Sequence, residues 1–202
     1  MSRYARNDSF NKWINTPAKK TFIDDPQGEE NMKNILIIMV SFLLNGCVTM
    51  PDSVAPIKNF EVEKYLGKWY EIARLDHSFE RGLTKVTAEY TLREDGGISV
   101  LNRGFSKSKR KWQEAEGKAY FVNSATEGFL KVSFFGPFYG SYVIFDLEQK
   151  NYQYAFVSGP NTSYLWLLAR TPEVTDEVIK KFVKKSQELG FNTENIIWVE
   201  QQ

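Results

Sequence analysis

Lys85-Val86-Thr87-Ala88-Glu89-Tyr90-Thr91-Leu92 alternates apolar with polar residues, and Asp95-Gly96-Gly97 follows closely. Val86, Ala88, Tyr90 and Leu92 share one face and Thr87, Glu89 and Thr91 the other, which is the period of a strand with one wet side. Asp95-Gly96-Gly97 supplies the positive φ of a tight hairpin, so the next run, Ile98 to Phe105, pairs back antiparallel. Working outward, similar runs predict strands over Trp69 to Leu75, Trp112 to Val122, Phe129 to Phe135, Tyr142 to Leu147, Tyr152 to Ser158 and Tyr164 to Arg170. Gly136-Pro137 separates the fifth strand from the sixth. No helical pattern interrupts these hairpins, so the sheet is antiparallel. Closing it removes its edges and gives an all-β, eight-stranded up-and-down barrel, whose interior takes side chains or one small ligand.

One helix follows the strands. Thr175 caps it, Asp176 and Glu177 suit its positive end, and Gly190 ends it. Val178, Phe182, Val183 and Leu189 form an apolar stripe, which predicts a helix packed on the outside of the barrel. Lys180, Lys181, Lys184 and Lys185 are then expected on its solvated face.

The chain has 202 residues, and its N-terminal part reads as processing segments. Residues 1–31 are polar, contain Pro17 and Pro26, and are expected to be a non-native extension or a disordered tail. Residues 32–46 have a signal peptide's layout: Met32 and Lys33, the apolar run Ile35 to Leu44, then Asn45 and Gly46. That run has about 10 apolar residues, whereas spanning a bilayer needs about 20. Cys47 is the single cysteine, so no intramolecular disulfide can form, and the fold must be held by its core. Residues 47–59, with Pro51 and Pro56, read as a tether to a domain over 60–202.

The 26 Lys and Arg nearly match the 25 Asp and Glu, and the part from Cys47 onward is close to neutral. That balance gives no basic field for nucleic acid. No cofactor or metal is expected. The sole histidine, His77, lies just past the first strand beside Asp76 in a rim loop, where ordering that loop by hydrogen bonding is the expected role. No serine sits in a nucleophile elbow and no cysteine lies within the barrel, so nothing points to catalysis.

Gly67-Lys68-Trp69 enters the first strand, Trp166-Leu167-Leu168-Ala169-Arg170 ends the eighth, and the helix follows. In order and separation this set resembles the lipocalins over about residues 57–200. Arg74 to Gly82 and the turn from Gly159 to Tyr164 are similar to bacterial lipocalins of the Blc and apolipoprotein D type. Leu44-Asn45-Gly46-Cys47 likewise resembles a bacterial lipobox. The resemblance implies that Cys47 is acylated, and Val48 after it resembles the outer-membrane sorting signal. The expected location is thus the periplasmic face of the outer membrane, reached through a lipid anchor. It also implies that Gly67, Trp69 and Arg170 close the barrel's base, where an arginine can stack on the indole and donate to nearby carbonyls.

With Trp69 and Arg170 inside, period two carries Glu71 and Ala73, and Leu168, Trp166 and Tyr164, to the interior. The resemblance adds Ala88 and Tyr90, Val100 and Asn102, Ala115, Gly117 and Ala119, and Leu130, Val132 and Phe134. The inward faces of the sixth and seventh strands stay open. Small residues such as Ala88, Gly117 and Ala119 cannot fill a barrel, which predicts a cavity. The apolar wall suits a long chain with a polar end, and the resemblance narrows this to a fatty acid or (lyso)phospholipid, held for storage or transport. Glu71 in an apolar calyx must be paired, hydrated or protonated; it could meet a ligand's polar groups or an inward amide such as Asn102. Phe134 to Gly140 is an apolar connection that fits a membrane-facing patch, a homodimer contact or burial against a loop.

Overall fold

The computed structural model describes residues 48–202; the expected tail, the signal segment and Cys47 lie outside them. A short helix α1 (Val62–Tyr65) leads into β1 (Gly67–Arg74), β2 (Leu83–Leu92), β3 (Ile98–Ser106) and β4 (Lys111–Phe121). Then come β5 (Phe129–Phe135), β6 (Phe138–Leu147), β7 (Tyr154–Ser158), β8 (Leu165–Ala169), helix α2 (Asp176–Glu188) and a two-residue strand β9 (Ile197–Trp198). The sheet order is β2-β3-β4-β5-β6-β7-β8-β1-β9, and β1 also pairs with β2. Every pairing is antiparallel, so β1 to β8 form a closed meander, as the alternation predicts.

Most strand ends shift by one or two residues from the sequence reading, and three differences have a physical reason. Strand β6 starts at Phe138 rather than Tyr142, because Phe135 pairs directly with Phe138 and leaves only Gly136-Pro137 to turn. Strand β7 starts at Tyr154, since Tyr152 has a φ of 55°, outside strand geometry. Strand β9 was not expected; two exposed residues carry no readable period.

Two apolar clusters follow from the alternation. Ala88, Tyr90, Ile98, Val100, Ala119, Leu130, Ile144, Val157 and Leu168 gather inside the barrel. Ile72, Phe129, Val143, Phe145, Phe156, Leu167 and Ala169 point outward and meet Phe182 of α2. Thr175 caps α2 by accepting from the Val178 N–H, and Phe182 is fully buried against Phe156, their ring centroids 5.0 Å apart. Lys180, Lys181 and Lys184 are exposed as expected, but two of the four lysines also pair with Asp146. Lys181 and Lys185 donate to Asp146 at 2.7 and 2.6 Å, because a nearly buried β6 carboxylate at this interface needs cations.

Residues 48–59, expected as a tether, lie along the barrel. Val54 is buried, the Ile57 N–H donates to the Ile144 carbonyl, and Lys58 bridges to Glu127. Near the start of this segment, the Ser141 hydroxyl donates to the Thr49 carbonyl, and Val48 and Met50 pack on the outer cluster. Ser141 lies near the start of β6, beside the end of the barrel that carries the β1–β2 loop.

Candidate functional site: a half-open apolar cavity

The two ends of the barrel differ. At one end Trp69 is fully buried, and its Nε1 donates to the Tyr65 carbonyl at 2.8 Å. Arg170 covers the indole and donates to the carbonyls of Lys68 at 2.9 Å and Lys64 at 2.7 Å. Gly67 has a φ of 90°, which glycine adopts without strain, and this lets the chain turn from α1 into β1 under the guanidinium. That end is sealed.

Toward the other end lies a cavity of about 110 Å³ that opens to the surface. Its wall is mostly apolar. Ala88, Tyr90, Val100, Ala119, Leu130, Val132, Phe134, Trp166 and Leu168 all line it, and so do the polar Glu71 and Asn102.

Three expected positions behave otherwise. Ala73 is buried but sits in the outer cluster and does not line the cavity. Between Glu71 and Ala73 the β1–β8 register shifts, so Glu71 faces Leu168 while Ala73 faces the outward Leu167 and Arg74 faces the inward Trp166. The bulge at Ile72 breaks the alternation from which an inward Ala73 was expected. Gly117 pairs with Val100 as an inward residue would, yet its space is taken: a Cβ there would come 2.8 Å from the Phe134 ring. Phe134 therefore fills the room that Gly117 alone leaves empty. Ala115, further along β4, is exposed and does not reach the cavity.

The sixth strand, whose inward face the sequence left open, contributes Tyr142. Its hydroxyl meets those of Tyr65 at 2.6 Å and Tyr90 at 2.9 Å. Burial pushes the Tyr65, Tyr90 and Tyr142 hydroxyls above their usual range, so all three stay neutral. This polar knot sits on the same wall as the apolar residues.

The bulge also builds a charged cluster that alternation could not reveal. Arg74, 2% exposed, donates to Glu71 Oε1 at 2.6 Å and to the Glu80 carbonyl at 3.0 Å. Trp166 Nε1 donates to Glu80 Oε2 at 3.1 Å. Glu71 is thus paired with Arg74 rather than with Asn102, whose Oδ1 is buried without a hydrogen-bond partner. Burial and the neighbouring Glu80 push the Glu71 carboxyl well above its usual range, with Arg74 opposing them. Glu80 is shifted the other way despite its burial, chiefly by His77, with Trp166 and Arg74 adding. His77 is buried in the β1–β2 loop, with Nε2 3.0 Å from Glu80 Oε2 and its ring stacked on Phe79 at 4.0 Å. Hydrogen bonding, the expected way for it to order the loop, gives place to stacking, since neither ring nitrogen makes a hydrogen bond of good geometry.

Among the described residues no group of three His, Cys, Asp or Glu side chains could hold a metal ion, and no helix is long and apolar enough to cross a membrane. The cavity's chemistry is that of a receptacle for a lipophilic guest.

Comparison with known proteins agrees with this geometry. Residues 60–201 match the lipocalin-like domain family. The chain is 66% identical over 171 residues to the outer membrane lipoprotein Blc of Vibrio cholerae, covering 85% of this chain and 100% of the relative. Identity to the Blc of Escherichia coli K12 is 49%, covering 80% and 92%. Temperature-induced lipocalin-1 of Arabidopsis thaliana is 36% identical, covering 72% and 81%. Among solved structures, insecticyanin from Manduca sexta shares the fold with a TM-score of 0.60 at 22% identity, covering 76% of this chain and 86% of that one. At this identity and coverage, the chain belongs to the lipocalin-like family.

Proposed function

We propose that the mature protein begins at an acylated Cys47, is anchored to the periplasmic face of the outer membrane, and holds a fatty acid or (lyso)phospholipid for storage or transport. The observation that carries this reading is the half-open cavity itself, sealed at one end by Trp69 and Arg170 and walled mainly by apolar side chains. A long acyl chain lies between Ala88, Ala119 and Leu130, and its polar end stays near the β1–β2 loop. The printed names of the bacterial relatives, outer membrane lipoproteins, support the location. The exposed Phe135 and Phe138 at the β5–β6 turn, 81% and 78% accessible, support a further contact of that turn with a second copy of the chain.

The experiment is a mass spectrum of lipids extracted from the protein purified without detergent. A stoichiometric acyl-chain lipid is the expected result. Protein that purifies without any such lipid and takes none up from vesicles sinks the reading in favour of a structural lipoprotein.

A further inference from the structure

The sealed end of the cavity is polar where an acyl chain would end. Tyr65 stacks against Trp69 with ring centroids 4.6 Å apart, and Tyr90 stands across the strand pair from Gly67, so both belong to the deep end. Tyr142 joins them through its hydroxyl, 2.6 Å from that of Tyr65 and 2.9 Å from that of Tyr90, and all three side chains line the cavity. Each hydroxyl brings one donor hydrogen and can also accept. Two contacts consume two of the three hydrogens, whichever way each bond runs, so one O–H is left without an acceptor among the described residues. An unmet acceptor adjoins it. Tyr90 pairs with Val100, Asn102 is the next inward residue toward the opening, and its buried Oδ1 accepts from nothing. A buried polar atom left unpaired is costly, and a methyl-ended chain would leave both of these so. A carboxylate is no remedy, because the cavity lining holds no lysine, arginine or histidine to offset a second buried charge. A neutral hydroxyl, which accepts and donates at once, meets both needs.

We infer that the deep end of the cavity recognises a hydroxyl on the far part of the guest's chain, so that the guest class is a hydroxylated acyl lipid rather than a plain one. The inference rests on the lipid-binding reading of the same cavity and concerns the tail of the guest, not its head. The guest oxygen accepts from the spare tyrosine O–H and donates toward Asn102 Oδ1, while the apolar wall between Ala88, Ala119 and Leu130 holds the methylenes above it.

The test titrates the intrinsic tryptophan fluorescence of the lipid-free protein at neutral pH with laurate, 12-hydroxylaurate, 2-hydroxylaurate and dodecanedioate. These share one chain length and differ in where oxygen stands. In a wholly apolar pocket a distal hydroxyl is buried unpaired and weakens binding. Here 12-hydroxylaurate should bind roughly fivefold more tightly than laurate, the return on one added hydrogen bond, with 2-hydroxylaurate equal to laurate and dodecanedioate weaker. A chain of hydroxyls keeps a spare hydrogen however short it is, so the decisive variant combines Tyr65→Phe, Tyr90→Phe and Tyr142→Phe. It should keep its affinity for laurate and lose the preference for 12-hydroxylaurate. Asn102→Leu, which should lower the same preference, serves if the triple variant does not fold. Three results overturn the inference and leave lipid binding intact: 12-hydroxylaurate no tighter than laurate or matched by 2-hydroxylaurate, a preference unchanged in a folded variant, or dodecanedioate tighter than laurate. Failure of all four probes to bind removes the lipid-binding reading itself.

Discussion

The guanidinium carbon of Arg170 sits 4.0 Å from the centroid of the Trp69 ring, and both residues spend their polar groups on backbone carbonyls rather than on the cavity. Their role is to close the barrel. Trp69→Ala should therefore cost about 3 to 5 kcal/mol of stability, as truncation of a buried tryptophan does. Arg170→Ala should cost less, and the two losses should not add, with a coupling of about 0.5 to 3 kcal/mol. Urea unfolding of the single and double variants measures this. A cycle with no coupling would mean that the stacked pair contributes nothing as a pair.

Glu71 should make folding less favourable as the pH rises. Its folded carboxyl holds its proton well above the ordinary value of 4.5, because burial and Glu80 outweigh Arg74. Between those two values the native state binds more protons than the unfolded chain, so stability is full below the unfolded pKa and declines as pH rises toward the folded one. Glu71→Gln keeps the shape and removes that proton linkage. Its melting temperature should equal or exceed that of the parent near neutrality, and the difference should shrink toward acid. A variant clearly less stable than the parent at neutral pH would show that the ionised pair with Arg74 is net stabilising.

Much of this was readable from the chain. Alternation in Val86 to Leu92 and the glycine turn at Gly96 gave a meander, Thr175 marked the helix start, and the pair Trp69 and Arg170 oriented the inside. What could not be read lies where one local event overrides the period. The bulge at Ile72 turns Ala73 outward and Arg74 inward, and nothing in Glu71-Ile72-Ala73-Arg74 announces an extra residue. Phe134 reaching over Gly117 is a side-chain direction, which sequence spacing does not contain. Tyr142 was missed because Ser141 and Val143 beside it give β6 no clear polar face.

The proposed membrane anchor rests on Cys47, which precedes the described residues. Acylation there would hold the barrel close to the membrane, since Thr49, two residues on, is bonded to Ser141 of the barrel wall. A two-residue link spans at most about 7 Å. Cys47→Ser should move the protein from the membrane pellet to the soluble periplasmic fraction without altering its melting temperature. Undiminished sedimentation with outer membranes would transfer the membrane attachment to the exposed Phe135 and Phe138.

Blocking the cavity tests the location of the guest. Ala119 is the position to fill: it is 5% exposed, lines the cavity, and faces Val132 across one strand pair and Ile98 across the other. Gly117 is unsuitable, because Phe134 already occupies its space, and Gly117→Ala should destabilise by about 1 to 3 kcal/mol of overpacking without closing anything. Ala119→Trp places a large ring where the acyl chain would lie, at a similar cost of about 1 to 3 kcal/mol. Circular dichroism and a cooperative melt establish that it folds. In the folded variant, lipid titration should no longer quench tryptophan fluorescence, and lipid should no longer co-purify. Unchanged affinity would mean that the guest does not enter the barrel, and the apolar surface of the β5–β6 turn would then be the place to look for it.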